Sequence, residues 1–173
     1  APVPESFGVA EPGTAPPAPR LIGTKEYASR AAVPPDERRA YGGGPSQFVE
    51  VYLPKKGMRP YHTVVFFHGG CWMSQFGLGP VGGFCRALAD GAGVAVVSAE
   101  YRRIGEEGGG FPGSFLDAAA ALDLVDELAD ELLLSREKVT AAGHSAGGHL
   151  ALWLAARAGL PADDPLRSAL RVR

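Results

Sequence analysis

The residues best suited to chemistry in this sequence are Gly143-His144-Ser145-Ala146-Gly147. A short β-like run, Lys138 to Ala142, precedes them and an apolar helix-like run, Gly148 to Ala158, follows. A G-x-S-x-G placed at such a junction predicts a nucleophile elbow, a sharp turn that holds the serine at the head of a sheet. The turn crowds its own backbone, so only small residues fit two before and two after the serine, and Gly143 and Gly147 meet that requirement. Ser145 would stand at a helix N-terminus, where free N–H groups and the helix dipole favour developing negative charge. The chemistry served by this arrangement is covalent acyl transfer. A serine hydroxyl attacks a carbonyl, a base takes its proton, and a third group orients the base. An ordinary N-cap serine is the plain alternative, and a second motif weighs against it.

That motif follows Thr63-Val64-Val65-Phe66-Phe67, a continuous apolar run that suits a buried parallel strand, and reads His68-Gly69-Gly70-Cys71-Trp72. The two glycines let the backbone approach a ligand closely and turn its amides inward. Acyl transfer builds an oxyanion, and removing one preorganised donor costs about 2.7–4 kcal/mol. The expected oxyanion donors are the N–H of Ala146, by the elbow geometry, and those of Gly70 and Cys71. His68, at the head of the loop, reads as a group that hydrogen-bonds to hold it. Trp72 reads equally as core packing or as a substrate-binding wall of the acyl pocket.

On these residues the sequence resembles an α/β-hydrolase of the esterase and aryl-formamidase (kynurenine formamidase-like) group, with kinship to hormone-sensitive-lipase-type esterases. The likeness runs from about residue 46 to about 158 and is carried by His68 to Trp72, Glu100-Tyr101-Arg102-Arg103, Phe111-Pro112-Gly113 with Asp117, and Gly143 to Leu150. Two departures stand out. Cys71 replaces the third glycine of the lipase-type H-G-G-G, and His144 stands where that branch has Asp, so the formamidase-like branch fits better. The resemblance implies a serine hydrolase that cleaves a small carboxylic ester or an activated amide through an acyl-enzyme on Ser145, with no cofactor.

The order of the triad in this fold is Ser, then Asp or Glu, then His. No histidine follows His149. His149 itself lies one turn into the helix that starts at the nucleophile, a place for packing or capping. His62 and His68 precede Ser145, and Asp163 and Asp164 fall too close to the turn to lie after a later strand. The acid and the base are therefore expected outside this chain, and the sequence reads as a hydrolase truncated after the serine's helix. Such a chain alone should be a poor enzyme, with an open sheet edge that favours a homo-oligomer. Two other readings stay open: a prolyl-oligopeptidase-type peptidase, and a non-catalytic protein that keeps the fold without the triad.

Composition narrows the field. At 173 residues with 46% hydrophobic content the chain has material for one core. A net charge of −2 and a pI near 6.1 argue against a nucleic-acid partner, and no stretch approaches the ~18 apolar residues of a membrane span. Residues 1–20, rich in proline and without a hydrophobic period, are expected to form a flexible arm, leaving 21–173 as the N-terminal part of an α/β-hydrolase domain. Cys71 and Cys85 read as free buried thiols, compatible with the cytoplasm. His144 and His149, five apart, do not have the i, i+4 spacing of helical metal ligands, so no metal is assigned.

The elements that must position these residues alternate. Strands are expected at Gln47–Leu53, Thr63–Phe67, Gly93–Ser98 and Val139–Ala142, and helices at Pro80–Gly91, Ser114–Leu134 and Gly148–Ala158, with a short helix within Lys25–Ala40. Phe84, Leu88 and Ala92 are expected to form the inner face of one helix, and Ser114 to cap the next. Asp117, fifteen residues after Arg102, is expected to pair with it and brace the site. Gly105 to Gly110 reads as a mobile loop. Apolar strands alternating with helices imply an α/β fold, doubly wound on a mostly parallel sheet.

Overall fold

The computed structural model describes residues 23–164, 166, 167 and 172, so the expected arm at 1–20 lies outside the described residues. In chain order the elements are α1 (Thr24–Ala28), β1 (Glu37–Ala40), β2 (Phe48–Tyr52), β3 (Tyr61–Phe67), α2 (Gly82–Ala92), β4 (Ala95–Ala99), α3 (Gly113–Leu128), β5 (Leu134–Gly143) and α4 (Ala146–Ala156). One five-stranded sheet runs in the order β1-β2-β4-β3-β5. Strands β4, β3 and β5 are parallel to one another, while β2 joins β4, and β1 joins β2, antiparallel.

Strands β3 and β4 are largely apolar on both faces because both faces are covered, whereas β5 carries an exposed Arg136-Glu137-Lys138 stretch near its start. Successive residues of β3 alternate between two cores. Val65 and Phe67 point to one, shared with Val97, Val139, Leu122 of α3 and Leu150 of α4. Phe66 points to the other, with Val96 and Cys85 and Ala89 of α2. No helix among the described residues is long and apolar enough to cross a membrane.

Several boundaries differ from the sequence expectation, each for a local reason. Strand β1, Glu-Arg-Arg-Ala, carries no apolar signal because it is a charged edge, the kind of strand that discourages further pairing. The buried face of α2 is Gly82, Cys85 and Ala89, whose small side chains admit the helix close to the sheet, whereas Phe84 is half exposed against the Phe66 ring. Helix α3 stops at Leu128 rather than Leu134. Leu133 turns the chain at φ 54°, and Leu134 pairs with Tyr61 to begin a strand longer than the periodicity suggested. Ser114 is not the cap of α3. It sits in the first turn, where its hydroxyl donates to the Arg102 carbonyl at 2.5 Å and accepts from the Gly110 amide at 3.1 Å.

Register is what matters for the site. Phe67 lies opposite Ala99 on one side and Gly143 on the other, so three parallel strands end at one level. The segments that follow, at 68, 100 and 144, leave the same carboxyl edge of the sheet, where α/β folds place their ligands.

Candidate active site

Strand β5 ends at Gly143 and α4 begins at Ala146, leaving His144 and Ser145 to make the turn. Ser145 has φ 53° and ψ −117°, a conformation that L residues rarely adopt, and it makes no capping hydrogen bond with its side chain. The flanking glycines are required by close approach. A methyl group on Gly143 would lie 2.7 Å from the Gly148 nitrogen, and one on Gly147 would lie 2.6 Å from the His68 carbonyl oxygen. The turn is tied to β3 as well, through His144 N–H to the Phe67 carbonyl at 3.2 Å. Ser145 is exposed.

The loop after β3 lies against this turn. A methyl group on Gly69 would sit 3.2 Å from Ser145 Cβ. Gly70 has φ 130°, and a side chain there would collide with Phe76, 2.8 Å to its Cγ. Cys71 and Trp72 follow at φ 52° and 57°. Among the described residues four non-glycine positions have positive φ, and three of them, Cys71, Trp72 and Ser145, belong to these two segments. Strain of this kind costs about 1–3 kcal/mol per residue and gathers where a site is held against its local preference.

Behind the loop lies a buried polar network. His68, 1% exposed, has Nδ1 2.7 Å from the Gly69 carbonyl and Nε2 2.8 Å from Glu100 Oε1. Its ring stacks on Tyr101, whose hydroxyl donates to the His68 carbonyl at 2.8 Å. Burial, with Glu100 alongside, pushes the Tyr101 phenol up and keeps it a neutral donor. Glu100 also pairs with Arg103 at 3.0 Å, and Arg103 with Glu106 at 3.0 Å. Burial works to raise the Glu106 pKa. The hydrogen bonds from Arg103 and Ser46 outweigh it and hold the carboxyl at about 2. Glu106 thus anchors the 105–110 segment that the sequence suggested would be mobile.

The expected pair of Arg102 and Asp117 is present. Asp117, 1% exposed, accepts from the Arg102 amide at 2.8 Å, from Nε at 2.9 Å and Nη2 at 2.8 Å, and from Gln47 Nε2 at 2.8 Å. Trp72 faces His149 edge-on at 5.5 Å, and His149 meets Phe115 in the same way at 5.5 Å. The Trp72 Nε1 is buried without a hydrogen-bond partner among the described residues.

The structure therefore brings Gly70, Cys71, Ser145 and Ala146 to one edge, with Trp72 beside them. Cys71 and Cys85 are both free, but only Cys85 is buried, with its thiol pushed up to about 11 by burial; Cys71 is exposed on the loop. Of the four histidines, His62 contacts Thr140, His68 is committed to Gly69 and Glu100, and His149 meets Trp72 and Phe115 edge-on while its main-chain N–H donates to the Ser145 carbonyl at 3.1 Å; among the described residues no imidazole is hydrogen-bonded to the Ser145 side chain. No group of three His, Cys, Asp or Glu placed to hold a metal occurs among the described residues. Two shallow depressions, of about 280 and 570 Å³, lie away from Ser145, by Tyr41 and Leu124 and by Arg59 and Leu133. The Glu100 carboxylate was missed as part of the site. In the sequence it stands directly after an apolar strand and within the Glu100-Tyr101-Arg102-Arg103 run that carries part of the family resemblance, but neither signal names its partners.

A sheet ordered β1-β2-β4-β3-β5, with helices on both faces and a strained serine turn at its carboxyl edge, defines an α/β-hydrolase fold of the kind found in esterases. The fold is similar to that of the hyperthermophilic esterase from the archaeon Pyrobaculum calidifontis, at 31% identity and a TM-score of 0.61, covering 77% of this chain and 42% of that one. It is also similar to a bacterial heroin esterase, at 28% identity and a TM-score of 0.61, covering 71% and 39%. In sequence it is 38% identical over 107 residues to carboxylesterase NlhH of Mycobacterium tuberculosis, covering 62% of this chain and 33% of that protein. The BD-FAE family model matches residues 49–164, and the chain belongs to that family. It spans about a third of the length of the curated relatives it matches.

Proposed function

We propose that Ser145 is the nucleophile of a serine hydrolase acting on a small carboxylic ester or an activated amide. In this reading Oγ attacks the carbonyl carbon and its proton passes to a base. The amides of Ala146, Gly70 and Cys71 stabilise the oxyanion, and Trp72 walls the acyl group. Collapse of the tetrahedral species breaks the bond to the leaving group, which departs with the proton as an alcohol or amine. Water then releases the acid from Ser145. The reaction needs an imidazole that the described residues do not bring to Ser145, so the base comes from elsewhere in the protein.

The observation that carries this reading is the turn itself: Ser145 at φ 53° between a parallel strand and a helix, with Gly69 against it. Kinship with carboxylesterases supports an ester substrate, and His144 before the serine is the feature that keeps the formamidase-like substrate in view. The test is a brief reaction with nitrophenyl acetate followed by mass analysis. An acetyl adduct on the peptide bearing Ser145 is expected, and an adduct elsewhere would reassign the nucleophile. One observation favours a non-catalytic reading, namely that no imidazole among the described residues is hydrogen-bonded to the Ser145 hydroxyl. Equal, background turnover by the full-length protein and its Ser145→Ala variant would establish that reading instead.

A further inference from the structure

Both ends of the 68–78 loop are held by one carboxylate. Glu100, directly after β4, has Oε1 2.8 Å from His68 Nε2 and 3.0 Å from Arg103 Nη1, and it accepts the Tyr101 amide at 3.2 Å. Its Oε2 accepts the Leu78 amide at 3.0 Å, at the far end of the loop. Arg103 donates to the Phe76 carbonyl, and Phe76 is the residue against which Gly70 is packed. The three side chains are at most 9% exposed.

The consequence for the site runs through one peptide plane. His68 Nδ1 donates to the Gly69 carbonyl at 2.7 Å, and its other nitrogen lies 2.8 Å from the Glu100 carboxylate, so both edges of the ring are held. The Gly69–Gly70 peptide is not among the cis bonds of the described chain. In a planar trans peptide the C=O and N–H point opposite ways. Holding the Gly69 carbonyl toward His68 therefore aims the Gly70 N–H away from it, and Gly69 lies against Ser145. Removing the carboxylate frees the imidazole to turn, and the peptide plane with it.

From this geometry we propose that Glu100 is a positioning residue: through His68 it fixes the direction of the Gly70 N–H, and through Leu78 and Arg103 it closes the loop that carries it. The proposal rests on the reading of Ser145 and the Gly70 amide given above. It is tested in the full-length protein with Glu100→Gln, which keeps the shape and removes the charge. Misplacing a catalytic group by about 1 Å costs about 100-fold, and losing one oxyanion donor costs about 100- to 1000-fold. A partly displaced donor is thus expected to lower kcat per titrated active site by about 10- to 100-fold, with KM within about threefold. A boronic acid that mimics the tetrahedral species should bind more weakly by a similar factor. A kcat per titrated site within threefold of wild type, or a loss that follows only the unfolded fraction, overturns the proposal. Should Glu100→Gln lower Tm by more than ten degrees, Glu100→Asp is measured in its place, with the same split expected and the same overturning result. If Ser145→Ala abolishes turnover while the Glu100 variants retain it, only this inference fails. Turnover that survives Ser145→Ala removes the underlying reading.

Discussion

Replacing Gly147 by alanine should damage the fold, although glycine to alanine within a helix is ordinarily favourable. Gly147 is the second residue of α4, where a helix propensity gain of about 0.5–1 kcal/mol is on offer. The added methyl would run into the Phe67 carbonyl and lie 2.6 Å from that of His68. Both are backbone atoms at the end of β3, a strand paired on both sides, so neither can retreat cheaply. Overpacking of this kind costs about 1–3 kcal/mol, occasionally more. The rigid neighbours place the loss at the upper end, for a net destabilisation of about 2 kcal/mol and a Tm lower by about 4–8 °C in a chain of this size. Gly91→Ala is the control. It lies inside α2 with nothing within 4 Å of the added methyl, so the propensity gain should appear alone. That variant should be about 0.5–1 kcal/mol more stable than wild type. Urea unfolding of the two variants and the parent measures the difference. Equal stabilities for Gly147→Ala and Gly91→Ala would refute the close approach of α4 to β3 that shapes the serine turn.

Three further outcomes follow from the buried groups. Asp117→Ala leaves Arg102 and Gln47 without their shared acceptor, and breaking a buried pair costs about 3–5 kcal/mol. Arg102 is 27% exposed, so the low end is expected by urea unfolding, and a loss below about 1 kcal/mol would contradict the bracing role. The Glu106 carboxyl, depressed from 4.5 to about 2 in the folded chain, contributes stability that is complete above about pH 4.5 and disappears as pH falls toward 2. The stability difference between wild type and Glu106→Gln should shrink over that window, and a difference that stays constant would exclude the contribution. With Ellman's reagent at pH 8, Cys71 should react fast and Cys85 only on unfolding, since one thiol is exposed and the other is buried and pushed up to about 11. Two fast thiols would show that α2 does not pack as described.

The parts of this fold that could be read from sequence are those whose local pattern and tertiary role coincide. Val65 and Phe67 announced a buried parallel strand because both faces of β3 are covered. Gly143 and Gly147 announced the turn because nothing larger fits there. Strand β1 was invisible because an edge needs pairing partners, not apolar side chains, and Glu37 to Ala40 finds them in Val51 to Phe48. The end of α3 was misread because Leu132 to Leu134 continues an apolar run while the backbone reverses at Leu133 without a glycine to mark it. At the site, motif residues were legible, whereas Glu100 and Glu106 were not assigned their partners. Glu100 reaches His68 across 32 positions of sequence and Glu106 reaches Ser46 across 60, distances that only the strand order closes.

Whether Ser145 is an activated nucleophile is decided by active-site-directed labelling. The full-length protein is treated with a fluorophosphonate, with and without the Ser145→Ala substitution, and the modified peptide is identified by mass. Removing such a nucleophile typically costs about a millionfold in turnover. One adduct is expected, on Ser145, together with the loss of both labelling and esterase turnover in the variant. Labelling on another residue, or turnover by Ser145→Ala within about tenfold of wild type, would contradict that role.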